Sequence, residues 1–441
     1  MVVQLFLRLL VAALVVWSAV SAAPVLRVDV AIIGGGPCGL ATALALRKAS
    51  PFAKIAVFER NAELLPMGSS IVISKPGWAA LKCIDPNACS QLKKRSAPIE
   101  SLVIVPLAGE GAAAAPGFAR NALKVFGAVN AVLRVFRLPR FGIVRSNLWH
   151  EVRSTLAARV VEVCGPESLR KDHALEAFSE AEGGGFALAF RGAGGLTPVH
   201  ASIVLACDGA RSDCRELAAR EPAADAVLDD VGKSVWRGLT PTVDLRGRCT
   251  VLRDTVNSDG VLAITFPAGG GLGGGGGASW TVTGPAVSGR ALNADDARHR
   301  LLASLPPRDA SNAPLEALYC CVEEAPFVIE NRLKVRNFGP GAPAFCSNTN
   351  GLAFLGDAAH PLRPTGEGVA LAFEDAWQLA DIVKASPGSA VCADALRCYE
   401  AARLPQVRQI SELVKDRAEG YYTNSTKATF KKGRPLRPTP L

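Results

Sequence analysis

Three glycines, Gly34, Gly36 and Gly39, fall in a G-x-G-x-x-G pattern that can hold a pyrophosphate against bare backbone. Gly34 allows a tight turn, and Gly36 lets phosphate oxygens approach the chain. Gly39 lets the following helix pack close to the preceding strand, and Pro37 shares the same turn. The N-terminus of that helix offers unpaired N–H groups to an anion. Glu59 lies 20 residues beyond Gly39, where a carboxylate can accept both ribose hydroxyls of an adenosine, and Arg60 beside it is a second candidate contact. An acid at position 59 disfavours a 2′-phosphate, so the expected nucleotide is FAD or NAD rather than NADP.

The elements needed to position these residues are legible around them. Residues 28–33 are an apolar run, as expected of a parallel strand covered on both faces, and residues 40–46 read as a helix ending before Pro51. Residues 54–58 form a second strand that closes on Glu59, completing a βαβ unit. A third buried strand over 201–206 runs into Cys207-Asp208-Gly209-Ala210-Arg211-Ser212-Asp213-Cys214-Arg215. A fourth segment, 352–355, leads into Gly356-Asp357-Ala358-Ala359-His360-Pro361, then Pro364, Gly366, Glu367 and Gly368, and a helix from Val369.

These segments, GGGPCGL, CDGARSDCR and GDAAHPLRPTGEGVALAFEDAWQLA, together with the closing YEAARLPQV, occur in the order and spacing of a known family. The chain resembles the single-component FAD-dependent monooxygenases, the class A flavoprotein aromatic hydroxylases and epoxidases, over about residues 27–416. The resemblance implies an α/β fold: a Rossmann-like FAD-binding domain of glutathione-reductase type with an inserted α+β substrate domain on an antiparallel sheet. It implies FAD-binding segments 27–222 and 345–416 around a substrate domain at 223–344, which takes in part of 96–141.

The same resemblance implies roles. Asp357 accepts ribityl hydroxyls; Gly356 shares its turn; Asp208, Gly209 and Arg215 lie near the cofactor; and Arg145 reaches the flavin phosphates or ribityl, with a surface arginine as the alternative. Pro364, Gly366, Gly368 and Val369 bring a helix N-terminus to the flavin, favouring negative charge on its pyrimidine. Glu367 is expected to face solvent, and His360 to pack within the loop. No protein side chain is assigned as acid, base or nucleophile. NADPH or NADH, bound transiently, would reduce FAD. A C4a-hydroperoxide formed with O2 would then hydroxylate or epoxidise a small aromatic or alkene substrate. A flavin reductase or oxidase on the same fold, and a non-catalytic FAD-binding protein, are the alternatives.

The pattern departs from the family at Ala370, where many members have Asn. No Trp-x-Trp-x-Ile-Pro segment is present, which argues against the related halogenases. In the substrate half, 235–239, 261–267 and 278–282 read as strands and 301–305 as helical. Residues 269–277 hold eight glycines in nine positions and read as a hairpin connection rather than a lid. Trp236, Phe266 and Trp280 are expected in cores before pockets.

Composition narrows the classes. A chain of 441 residues, 49% hydrophobic and 20% charged, can bury substantial cores and is not disordered. Of its net charge of +9, Lys427, Lys431, Lys432, Arg434 and Arg437 sit in a proline-containing tail (417–441), leaving +4 for the rest and no nucleic-acid motif. Residues 1–22 have the layout of a secretory signal, with retention as a membrane anchor the alternative. The expected location is the secretory pathway, ER lumen or secreted. Twelve Cys without a CxxC pair and five scattered His give no metal site; Cys83 with Cys89 and Cys207 with Cys214 are the nearest disulfide candidates. The sequon at Asn424 agrees with that route. Oligomeric state is not legible.

Overall fold

The computed structural model describes residues 25–66, 68–106, 144–218, 228–253, 260–270, 277–309, 312–336, 338, 351–364 and 366–422. The leader, most of the basic tail with Asn424, much of the 96–141 stretch and both junctions of the expected substrate domain lie outside the described residues.

The chain opens with β1 (Leu26–Ile33), α1 (Pro37–Ala49) and β2 (Ile55–Phe58). Then come β3 (Ser70–Ile73), α2 (Lys75–Ile84), α3 (Pro86–Arg95), β4 (Ala97–Ile99) and β5 (Ser101–Pro106). The next stretch holds β6 (Val144–Leu148), α4 (Trp149–Cys164), β7 (Leu169–Arg170), β8 (Ala174–Glu180), β9 (Phe186–Gly192), β10 (Gly195–Ala206) and α5 (Asp213–Ala218). It is followed by β11 (Asp229–Thr240), β12 (Arg248–Arg253), β13 (Leu262–Pro267), β14 (Ala278–Pro285), α6 (Ala294–Ser304), α7 (Ala313–Glu324) and β15 (Val328–Val335). The chain then passes through β16 (Leu352–Phe354), α8 (Gly368–Ala385) and α9 (Ala393–Tyr422).

The first βαβ unit forms as its residue pattern demands. Val30, Ala31, Ile32 and Ile33 are all buried because helices cover the sheet, and α1 is buried along almost its whole length. Each large side chain removed from water in this core contributes about 1.5–3 kcal/mol. The sheet around it has the order β7-β2-β1-β10-β9-β8, with β16 also on β10. β7, β2, β1, β10 and β16 run parallel. β8 and β9 add an antiparallel edge, made possible by the length of β10: residues 195–201 pair with β9 and residues 204–206 with β16.

A second sheet has the order β15-β11-β14-β13-β12-β5. It is antiparallel except where β5, from the 96–141 stretch, joins β12 in parallel. Trp236 and Trp280 lie on one face with α6 and α7, in a core with Val282, Leu301 and Leu318. Gly238 is glycine for this reason: a Cβ there would stand 2.1 Å from Cζ2 of Trp280. By register, Arg237, Thr281, Ser279, Phe266 and Ile264 share the opposite face. The glycine stretch connects β13 to β14, closed by Ala268 N–H donating to Gly277 O at 2.7 Å; residues 271–276 lie outside the described residues. A third sheet, β3-β6-β4, meets the second where Ser70 N–H donates to Ser279 Oγ.

The cysteine pairs suggested by spacing do not join. Cys83 and Cys89 sit on successive helices and Cys207 and Cys214 on either side of a turn, all four as free thiols. Among the described residues no helix is long and apolar enough to cross a membrane.

Candidate functional site

The C-terminal ends of β1, β10 and β16 lie side by side, so the three turns that follow them come together at the sheet edge where a parallel α/β fold leaves its ligand cleft. Gly34 is in the left-handed region at φ +106°, and a Cβ there would collide with Cys207 O at 2.6 Å. At Gly39 a Cβ would stand 2.1 Å from Gly34 O, which is the close helix–strand contact expected of that position. Gly36 has nothing within 4 Å of its Cβ direction and opens onto the cleft.

Glu59 does more than its spacing implied. It is buried, and its Oε2 accepts Gly35 N–H at 2.9 Å and pairs with Arg153 at 2.8 Å. Its Oε1 accepts Asn61 N–H at 2.9 Å and Asn61 Nδ2 at 2.6 Å. Burial pushes the carboxyl up, but the Asn61 N–H, Arg153 and the Gly35 N–H outweigh it and the pKa is lowered. All four acceptor positions of the carboxylate are therefore engaged by protein donors, so a ribose must displace Asn61 rather than meet a free acid. Arg153 also donates to Gly35 O at 2.8 Å, bracing the glycine turn from α4. Sequence reasoning missed Arg153.

Two of the expected contacts point elsewhere. Arg60 is mostly exposed and lies 3.9 Å from Asp213. Arg145 turns to the end of α3, donating from Nε to Ser96 Oγ at 2.5 Å and from Nη2 to Ser96 O at 3.2 Å. There it satisfies carbonyls that a helix end leaves open.

At the second turn, Asp208 Oδ2 accepts Cys214 N–H at 2.9 Å, while Oδ1 is buried without a hydrogen-bond partner among the described residues. Burial raises this carboxyl to about 6, against the lowering effect of the Cys214 N–H and the Ser212 hydroxyl. Gly209 follows at φ +88° with open space around it. Arg215 donates to Ala358 O and lies 4.0 Å over the Phe354 ring, linking the second turn to the third. Arg336 donates to the next carbonyl, Ala359 O, and burial lowers its pKa to about 9, with Arg215 adding to the effect.

The third turn begins at Gly356, φ +59°, where a Cβ would stand 2.9 Å from Cys38 Sγ. It presents Asp357, whose side chain is reached by solvent yet crowded by protein, as at the floor of a cleft. That enclosure raises its carboxyl, while His360 and Arg237 pull it down. Gly368, at the start of α8, comes within 3.6 Å of Asp357 Oδ1 by its Cβ direction. Gly366 is exposed at φ +85°; Pro364 and Val369 are half-buried beside it. The helix start and the carboxylate thus face one space.

Arg237 was not foreseen. It projects from β11 on the face away from α6 and α7, its pKa lowered by burial with Asp357 as its opposing charge. Glu367 is also not as expected: it is buried, with Ser74 Oγ 3.4 Å from Oε2. His360 is buried, as a packing residue should be, and its Nε2 meets Asp375 Oδ2 at 2.6 Å. Ala370 is buried against Gly77 of α2, where a Cβ would stand 2.7 Å from Ala370 Cα.

No protein-family model matches the chain. Over 79 residues it is 39% identical to 3-amino-4-hydroxybenzoate 2-monooxygenase of Streptomyces platensis, covering 17% of this chain and 19% of that protein. Over 387 residues it is 26% identical to salicyloyl-CoA 5-hydroxylase of a Streptomyces species, covering 86% of this chain and 63% of the relative. The matches therefore span from about a fifth to under two thirds of these curated relatives. Among solved structures, CtdE in complex with FAD and a substrate superposes with a TM-score of 0.68 at 17% identity, over 93% of this chain and 94% of that one. The 2,6-dihydroxypyridine-3-hydroxylase of Arthrobacter nicotinovorans superposes with a TM-score of 0.66 at 19% identity, over 95% and 100%. In fold and in the order of its motifs, the chain resembles the single-component FAD-dependent monooxygenases.

Proposed function

We propose that the chain is an FAD-dependent monooxygenase that draws electrons from NADH or NADPH and inserts one oxygen atom of O2 into a small aromatic or alkene substrate. The convergence of three turns carries this reading: Gly34–Gly36, Asp208–Gly209 and Asp357–Gly368 border one cleft, and Arg237 of the second sheet faces it. The residues fit the cofactor. Gly36 leaves a phosphate-sized approach to bare backbone, Asp208 Oδ1 is a buried acceptor awaiting a donor, and Asp357 stands where a polyol chain can donate to it.

Once bound and reduced, FAD supplies the activation of dioxygen. The chain's residues do the rest. The glycine turn, braced by Arg153, would hold the pyrophosphate, and the N–H groups opening α8 would favour negative charge beside them. Arg237, on the sheet face away from α6 and α7 and with Asp357 as its opposing charge, would border the substrate, while Ser279 on the same face is buried and holds Ser70 N–H of the third sheet. The test is turnover under 18O2 with the purified flavoprotein. Label in the product supports the proposal; substrate-dependent nicotinamide oxidation without label in the product identifies a reductase or oxidase instead.

The leader composition supports a secretory location, ER lumen or secreted, with an ER-membrane anchor if residues 1–22 are retained. N-terminal sequencing of the chain recovered from a secreting cell separates cleavage from retention.

A further inference from the structure

Arg403, on α9, is 1% exposed and forms its hydrogen bonds within α8 and α9. Its Nε donates to Asp375 Oδ1 at 2.5 Å, Nη2 to Leu371 O at 3.1 Å and Nη1 to Gln406 Oε1 at 2.9 Å; Glu374 Oε2 lies 3.3 Å from Nη2. Asp375 has no exposed surface and divides its two oxygens. Oδ1 faces Arg403, while Oδ2 accepts Gly356 N–H at 2.8 Å and meets His360 Nε2 at 2.6 Å. His360 N–H in turn donates to Gly356 O at 2.8 Å, so the Gly356–His360 turn is tied to this one carboxylate at both ends. Burial pushes the Asp375 carboxyl up, yet His360 and Arg403 outweigh it and hold it down at about 2.

We propose that Asp375 is a positioning residue for the cofactor: anchored to Arg403 through Oδ1, it fixes Gly356 and His360 from behind through Oδ2 and so aims Asp357 into the cleft. The inference rests on the FAD reading and adds to it that α9, through Arg403, governs how tightly FAD is kept. A carboxylate is required because Arg403 on one oxygen and Gly356 N–H on the other can only donate. An amide at position 375 would turn its NH2 toward either Arg403 or the pair formed by Gly356 N–H and His360 Nε2, opposing donor to donor.

The test compares the full chain with Asp375→Asn, Arg403→Lys and Glu374→Gln, reading FAD dissociation by flavin fluorescence, the visible spectrum of the bound flavin and the melting temperature. Asp375→Asn should weaken FAD binding about tenfold to a hundredfold and change the bound-flavin spectrum. Arg403→Lys should fall between it and the parent. Glu374→Gln removes an Arg403 contact without touching the turn, so it should lower the melting temperature and leave FAD affinity and spectrum unchanged. The proposal is overturned if Asp375→Asn binds FAD like the parent, or if Glu374→Gln loses affinity in step with its stability. Should Asp375→Asn not fold, Arg403→Lys decides: unchanged affinity and spectrum overturn the proposal. A parent chain that takes up no FAD overturns the cofactor reading itself, and this inference with it.

Discussion

Asp208 links the site to pH through a single group. Its carboxyl titrates near 6 in the folded chain against 3.8 for an ordinary aspartate, because burial disfavours the charge. Between those values the folded chain binds more protons than the unfolded chain, so stability falls as pH rises from about 4 to 6. Asp208→Asn should remove that loss, gaining up to about 3 kcal/mol over the parent at pH 7.5 and little at pH 4, read from urea melts of cofactor-free protein. An equal difference at both pH values would assign the effect to another group. Arg153→Met should cost about 3–5 kcal/mol in the same melts, since Glu59 would be left as a buried charge without its cation. Arg237→Met should leave FAD bound but lower kcat/KM about tenfold or more, measured by substrate-dependent NAD(P)H oxidation. These three residues were unequally legible. Asp208 stands in a motif whose glycine neighbour marks a special backbone. Arg153 and Arg237 are ordinary arginines until Gly35 and Asp357, each more than a hundred positions away, are folded against them.

At the scale of elements, glycines were the readable marks, because a missing Cβ has one purpose where two segments touch. Gly34, Gly39 and Gly356 fall where backbone meets backbone or thiol, which is why the first βαβ unit and the 356–368 turn could be placed from spacing. The crossing of α2 and α8 follows the same rule but lacked a motif. Gly77→Ala should push the helices apart and cost about 1–3 kcal/mol by chemical denaturation; a neutral result would mean the crossing yields freely. The antiparallel edge of β8 and β9 was not anticipated, since an apolar run over 201–206 announces burial and says nothing of which neighbours provide it. Glu367 failed as a solvent-facing residue for a related reason: its partner Ser74 belongs to another helix start.

At the scale of the whole molecule, the composition foretold buried cores and placed much of the charge in a tail; part of the 96–141 stretch was expected in the substrate half, and β5 from that stretch pairs with β12 of the second sheet. Cofactor binding should be visible globally. FAD at a hundred times its dissociation constant stabilises the chain by about 2.7 kcal/mol, a shift read directly in thermal melts. FMN, which lacks the adenosine that the Glu59 side of the cleft would hold, should stabilise it far less, and equal shifts would reject that assignment. The sheet pairing carries one more consequence, for how the chain comes to be folded. Ile33 pairs with Ala206 and Ala206 with Phe354, so the cleft floor joins segments that leave the ribosome far apart in time. Until residue 354 has emerged, the inner strands stand with an unpaired edge and open apolar faces. Synthesis therefore creates a long window for aggregation, in which a chaperone that shields the first 206 residues should raise the yield more than added cofactor does.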